Sequence, residues 1–191
     1  MSNNAFALFL IISLALSVIG INAYNFNQII FAQTKETETL DRNSSTNVYP
    51  NFSAVGRISS LNFYNNSLSD IAAAEKVVLS GDWSINVNNG SISFFEADFI
   101  AAPSDGSVSH THELVNLIVE GGHPIQILSN GNASIVGTID IKLNGISLWN
   151  AVKTTILISK GSTLTIILND LDTHHHFMKQ PIHGIVDRLM Y

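Results

Sequence analysis

From about residue 51 onward, apolar and polar side chains alternate with a period of two, the pattern of strands with one buried face. In 77–87, Val77, Leu79, Trp83, Ile85 and Val87 share a face opposite Ser80, Asp82, Ser84 and Asn86. Asn89-Gly90 then supplies a type I′ hairpin turn. Through 91–101 the phase changes: Ile92 and Phe94 lie on one face, Phe95, Ala97 and Phe99 on the other, which predicts a β-bulge at Phe94-Phe95. Ile135, Ile139, Ile141 and Leu143 alternate through 133–143, and Asn144-Gly145 marks a second tight turn into 146–158. Leu164, Ile166 and Leu168 keep phase through 162–168. Weaker alternation predicts strands over 54–64, 109–119, 125–129 and 182–188. Ser67-Leu68-Ser69-Asp70 resembles a capping box and precedes good helix formers, so one short helix is expected over 68–76. The pattern predicts an all-β fold, an antiparallel β-barrel or β-sandwich of about eight strands with one short helix; a barrel is preferred.

The N-terminal fifty residues follow other rules. Residues 5–21 carry no charge, which suits a signal-peptide core. Ala23 and Ala32 offer cleavage points, and removal after Ala32 is the preferred expectation; an uncleaved membrane anchor over 5–21 is the alternative. Residues 33–50 are polar and close on a proline, so a flexible linker is expected before a domain over 51–191. A secreted or cell-surface location follows. Membrane contact is then expected through the N-terminal segment alone. Five Asn-x-Ser/Thr acceptors, Asn43, Asn51, Asn65, Asn89 and Asn132, are candidate glycosylation sites for such a destination.

Composition removes several chemistries. Fifteen acidic residues against nine Lys and Arg give a net charge of −6 and no basic stripe, so nucleic acid is not an expected partner. Cysteine is absent, which excludes disulfides and thiolate metal sites. No Gly-x-Ser-x-Gly elbow, phosphate-binding loop or dinucleotide fingerprint occurs.

What remains is histidine. All seven lie at or after residue 110. On a strand, residues two apart project to the same face about 6.5 Å apart. His110 and His112 therefore point together, as do His174 and His176 if that stretch is extended. Two such pairs could surround one ion at about 2.0–2.1 Å, and imidazole suits copper or zinc among others. Glu113, Asp170, Asp172 and His183 are possible supporting groups. The face of 109–119 is ambiguous, because Thr111, Glu113, Val115, Leu117 and Val119 form an equally credible inner face that would turn the histidines outward. The cupin spacing fails, since Glu113 adjoins the pair directly and Glu120 is too distant.

The phrases Gly81-Asp82-Trp83-Ser84-Ile85-Asn86-Val87, Phe95-Glu96-Ala97-Asp98-Phe99, His110-Thr111-His112-Glu113-Leu114 and Pro181-Ile182-His183-Gly184-Ile185-Val186 resemble small secreted β-rich proteins of ammonia-oxidising archaea. The Phe31-Ala32-Gln33 end of the signal segment is similar too. The resemblance implies an exported location and a lineage that relies on copper enzymes, but no activity. The leading expectation is an exported β-domain that binds a metal ion, copper among the candidates, through His110, His112, His174 and His176. A glycosylated envelope protein with a structural or small apolar-ligand role is the second expectation. A metal-dependent hydrolase or hydratase is the third.

Overall fold

The computed structural model describes residues 47–63 and 75–191. The signal segment 1–32, the linker as far as Thr46, Asn43, Asn65 and most of the expected helix lie outside the described residues. Of that helix only Glu75 and Lys76 are described, and Lys76 already begins a strand.

Ten strands follow in chain order: β1 (Val48–Tyr49), β2 (Phe52–Phe63), β3 (Lys76–Asn88), β4 (Ser91–Pro103), β5 (His110–Val119), β6 (Ile127–Leu128), β7 (Ala133–Leu143), β8 (Ile146–Ser159), β9 (Thr163–Leu168) and β10 (Ile182–Met190). Eight of them close a barrel in the order β2-β3-β4-β5-β7-β8-β9-β10, with β10 returning to β2. Each barrel strand pairs antiparallel with its neighbours, so the chain meanders up and down once around the axis. Closure leaves no edge strand within the barrel to template aggregation. The weak strand expected over 125–129 is two residues long and outside the barrel; it pairs with β1, at the end of the expected linker.

Alternation puts every second side chain inside. Ile58, Ile85, Leu114, Ile135, Ile139, Ile141, Ile156, Ile158, Leu164, Ile166 and Ile182 are all essentially inaccessible to solvent, and β-branched residues fill the lumen of an eight-stranded barrel well. At the seam, Trp83 of β3 lies over Gly56 of β2 and its Nε1–H donates to the Ile185 carbonyl of β10 at 3.0 Å. Gly56 and Gly184 make room for that indole; a Cβ on Gly56 would stand 2.7 Å from Trp83 Nε1.

Register shifts interrupt the alternation on β4, β5, β8 and β10, and three of these bulges bear on the site. The first lies at Ser93, one residue before the expected place: Asn86 pairs with Phe94 but Val87 pairs with Ile92, and Ser93 Oγ donates to Asn86 Oδ1 at 2.7 Å. Phe95, Ala97 and Phe99 are consequently buried while Phe94 is exposed. The second lies on β5 at Asn116, with φ +56°, between Val115 and Ile118. It resolves the ambiguity of 109–119: His112 and Leu114 face inward before the bulge and Leu117 after it, so each half of the strand buries a different phase. The third lies on β8, where Ala151 has φ +52°. Asp140 on the strand between the last two holds both, accepting from Ala151 N at 2.9 Å and from Asn116 Nδ2 at 3.0 Å.

One barrel end is closed by β1, β6 and the 120–132 connection, which bury Ile125 and Ile127. Tyr49 there stacks on Tyr191, with ring centroids 4.7 Å apart. The other end is closed by the long connection 169–181 between β9 and β10.

Because Asp140 alone satisfies both bulges, Asp140→Ala should cost about 1–2 kcal/mol of stability. Asp140→Asn should recover part of the loss. Urea denaturation of the three proteins would show it, and an unchanged midpoint in Asp140→Ala would disprove the bracing role.

Candidate metal centre

Three histidines converge where the 169–181 connection meets β5. One ring nitrogen from each of His110, His112 and His176 lies within 4.8 Å of the others. His110 and His112 are one inward-phase apart on β5, as their spacing predicts, with ring centroids 4.8 Å apart. His176 descends onto them from the connection, and its Nε2 is 2.9 Å from His112 Nε2.

The connection carries His176 there by a series of tight turns, not by an extended run. Asn169 Oδ1 accepts from the amides of Leu171 and Asp172, at 3.0 and 3.1 Å. His175 N, His176 N and Met178 N each bond back to carbonyls three to five residues earlier: Asp170 O, Thr173 O and His175 O, at 2.8, 3.0 and 3.0 Å. His174, His175, Met178 and Lys179 all take positive φ between 51° and 63°, a conformation that side-chain-bearing residues adopt at a cost. Gln180 then docks the segment on β2, exchanging hydrogen bonds with the backbone of Phe63 at 2.7 and 3.0 Å.

This conformation decides which histidines take part. Residues two apart share a face only on a strand, and here the strand geometry is absent. His174 is therefore outside the group of three, contrary to the expected two-pair arrangement. Its Nδ1 instead accepts from Trp149 Nε1 at 3.3 Å. The expected supporting groups are also engaged elsewhere. Glu113, on the opposite phase of β5, accepts from Lys142 Nζ at 2.7 Å. Asp170 binds the exposed His175 ring and accepts from Lys179 N at 3.1 Å, while Asp172 accepts from Lys153 N at 3.1 Å. These two carboxylates shape the connection without reaching the cluster. His183 is exposed on β10 beside Thr165.

Apolar rings enclose the cluster. Phe99 stacks on His112 with centroids 5.1 Å apart, Phe177 lies 5.1 Å from the same ring, and Trp149 lies 4.9 Å from His176. Trp149 faces inward because the register of β7 and β8 shifts on both sides of it. His112 is 1% exposed. Beside the three histidines, Asn62, Val77, Leu79, Ala101, Phe177 and Met178 line a small recess. Asn62 was detectable as a polar residue in the core phase of β2. It is 2% exposed and accepts from Ser60 Oγ at 3.0 Å.

Burial, reinforced by the neighbouring His176 and His110, pushes His112 down to about 3. Burial, then His110, lowers His176 as well. Both rings are thus neutral near pH 7, the state in which imidazole is a ligand. Two neutral rings 2.9 Å apart must share a single N–H between their Nε2 atoms. His112 Nδ1 meanwhile is buried without any hydrogen-bond partner. An unmet buried polar group of this kind costs about 1–3 kcal/mol. Three imidazole nitrogens bound to one ion at about 2.0–2.1 Å stand roughly 2.9–3.6 Å apart, for bond angles between 90° and 120°. The present spacing is within about an ångström of that range, so a cation could take the place of the shared proton.

Of the candidate glycosylation sites, Asn51 and Asn89 are exposed at the opposite barrel end, where Asn51 Oδ1 accepts from Asn89 N at 2.6 Å. Asn132 is half-buried and its Oδ1 accepts from Lys160 N at 2.7 Å. Comparison of the chain with protein-family models, with curated proteins and with solved structures returns no match.

The depressed His112 gives the metal-free protein a defined acid response. Unfolded, the ring binds a proton near pH 6.5; folded, it does so only near 3. The unfolded state therefore holds more protons between these values, and stability falls as pH falls through that window, by up to about 1.4 kcal/mol per unit. Urea midpoints of the apo protein at pH 7 and pH 4.5 should separate by less in His112→Phe than in the wild type. Equal separations would show that His112 is not the titrating group.

Proposed function

We propose that the barrel is an exported metal-binding module that holds a transition-metal ion, copper or zinc, on His110, His112 and His176. The observation that carries the reading is the convergence of the three ring nitrogens within 4.8 Å at a buried, aromatic-walled end of the barrel. Neutral rings supply the lone pairs, so binding at pH 7 requires little proton release. Enclosure by Phe99, Phe177 and Trp149 favours retention of an ion over turnover of a substrate, which suits a binding or scavenging role. The export reading is supported by the uncharged run 5–21 and the small residue before Gln33.

Calorimetry of the full chain with Zn(II) and with Cu(II) should give one equivalent bound at ~1 µM or tighter, about −8 kcal/mol. The double variant His110→Ala/His176→Ala should weaken this by roughly 100-fold or more. His174→Ala should leave it unchanged. Undiminished binding in the double variant, or an equal loss in His174→Ala, would remove the triad from consideration. For export, the protein recovered outside producing cells should begin at Gln33; retention of Met1 on membrane-bound material would assign residues 5–21 to an anchor.

A further inference from the structure

We infer that Met178 is a fourth ligand and that it makes the site selective for monovalent copper. This deepens the preceding reading and rests on it. Met178 lines the same recess as His110, His112 and His176, two residues beyond His176 on the same connection.

Its placement is built into the fold. Met178 takes φ +56°, followed by Lys179 at +59°, and the two amides are tied to His175 O at 3.0 Å and Asp170 Oδ1 at 3.1 Å. A non-glycine residue held in the left-handed region by surrounding hydrogen bonds is a recurring feature of functional loops. Met178 thus borders the recess from a fixed backbone, and the two torsions between that backbone and its sulfur let the thioether turn toward an ion there.

The chemistry of the donor set then selects the ion. A thioether is soft; it binds Cu(I) well and contributes little to Zn(II). Three imidazoles and a thioether are all uncharged, so the full charge of the ion stays uncompensated among apolar side chains. Born self-energy rises with the square of charge, which makes a divalent ion about four times as costly to bury there as a monovalent one. The nearby carboxylates are engaged outside the cluster, Glu113 with Lys142 and Asp170 with the His175 ring and Lys179 N.

The test compares the full-length wild type with Met178→Leu under anaerobic conditions. Cu(I) affinity is measured against a chromogenic Cu(I) chelator and Zn(II) affinity against a zinc indicator. Wild type should hold Cu(I) more tightly than Zn(II). Met178→Leu should lose roughly 10-fold or more in Cu(I) affinity, in line with the effect of even an outer ligand partner, and keep its Zn(II) affinity. X-ray absorption at the copper edge should show one sulfur neighbour at about 2.3 Å in the wild type and none in the variant. Unchanged Cu(I) affinity in Met178→Leu, or a wild-type spectrum without sulfur, overturns the role of Met178 while intact Zn(II) binding leaves the histidine triad standing. Failure of the wild type to bind either metal overturns both readings together.

Discussion

A closed barrel has no edges but two ends, and each end exposes the lumen unless something fills it. That constraint organises the molecule. Eight strands meander once and the last pairs with the first, sealed from inside by the Trp83 indole on the Ile185 carbonyl. One end is filled by apolar means, with Ile127 of the β1–β6 pair and Ile125 of the connection beside it buried. The other is filled by the 169–181 connection, whose inward contributions include an aromatic ring, Phe177, and an imidazole, His176. Placing a polar ring in a plug would be unfavourable unless it met partners, and the partners it meets are two further histidines.

The plug and the barrel wall therefore share one site between them. Two of the histidines stand on a strand, where both are registered against β4 and His112 against β7 as well. The third stands on a loop that the register of the sheet does not control. Its position depends on Asp170 and Asn169, which knot the connection, and on Gln180, which pins it to β2. Asp170 and Asp172 thus act on the shape of the loop and Glu113 pairs with Lys142, so no carboxylate joins the cluster. The cluster offers ring lone pairs within apolar walls, with no carboxylate among its members.

Much of this was legible in the residues. Strict alternation located the long strands, Asn-Gly pairs located their turns, and the phase change before Phe95 announced a bulge to within one residue. His110 and His112 were correctly paired, because spacing on a strand has only one geometric meaning. Two things were not legible. The inward phase of β5 depends on an asparagine in left-handed conformation at position 116, and asparagine at such a place looks like any polar residue. The connection 169–181 contains no glycine, so four non-glycine residues with positive φ gave no turn signal, and His174 and His176 passed for neighbours on a strand.

The same local conformation that hid the site also explains why His174 and His176 part company. Consecutive left-handed residues at 174 and 175 reverse the chain, so that His174 meets the edge of Trp149 while His176 turns beneath it toward β5. Trp149 consequently touches both: its N–H is taken by the histidine outside the cluster, and its ring packs on the histidine inside it. Trp149 can do this only because the β7–β8 register shifts on both sides of it, and one of those shifts is held by Asp140, which also fixes the bulge that divides β5 below His112. The positions of all three clustered imidazoles thus trace back to irregularities in an otherwise regular barrel. A barrel of uninterrupted alternation would have buried neither Trp149 nor the apolar residues of both halves of β5.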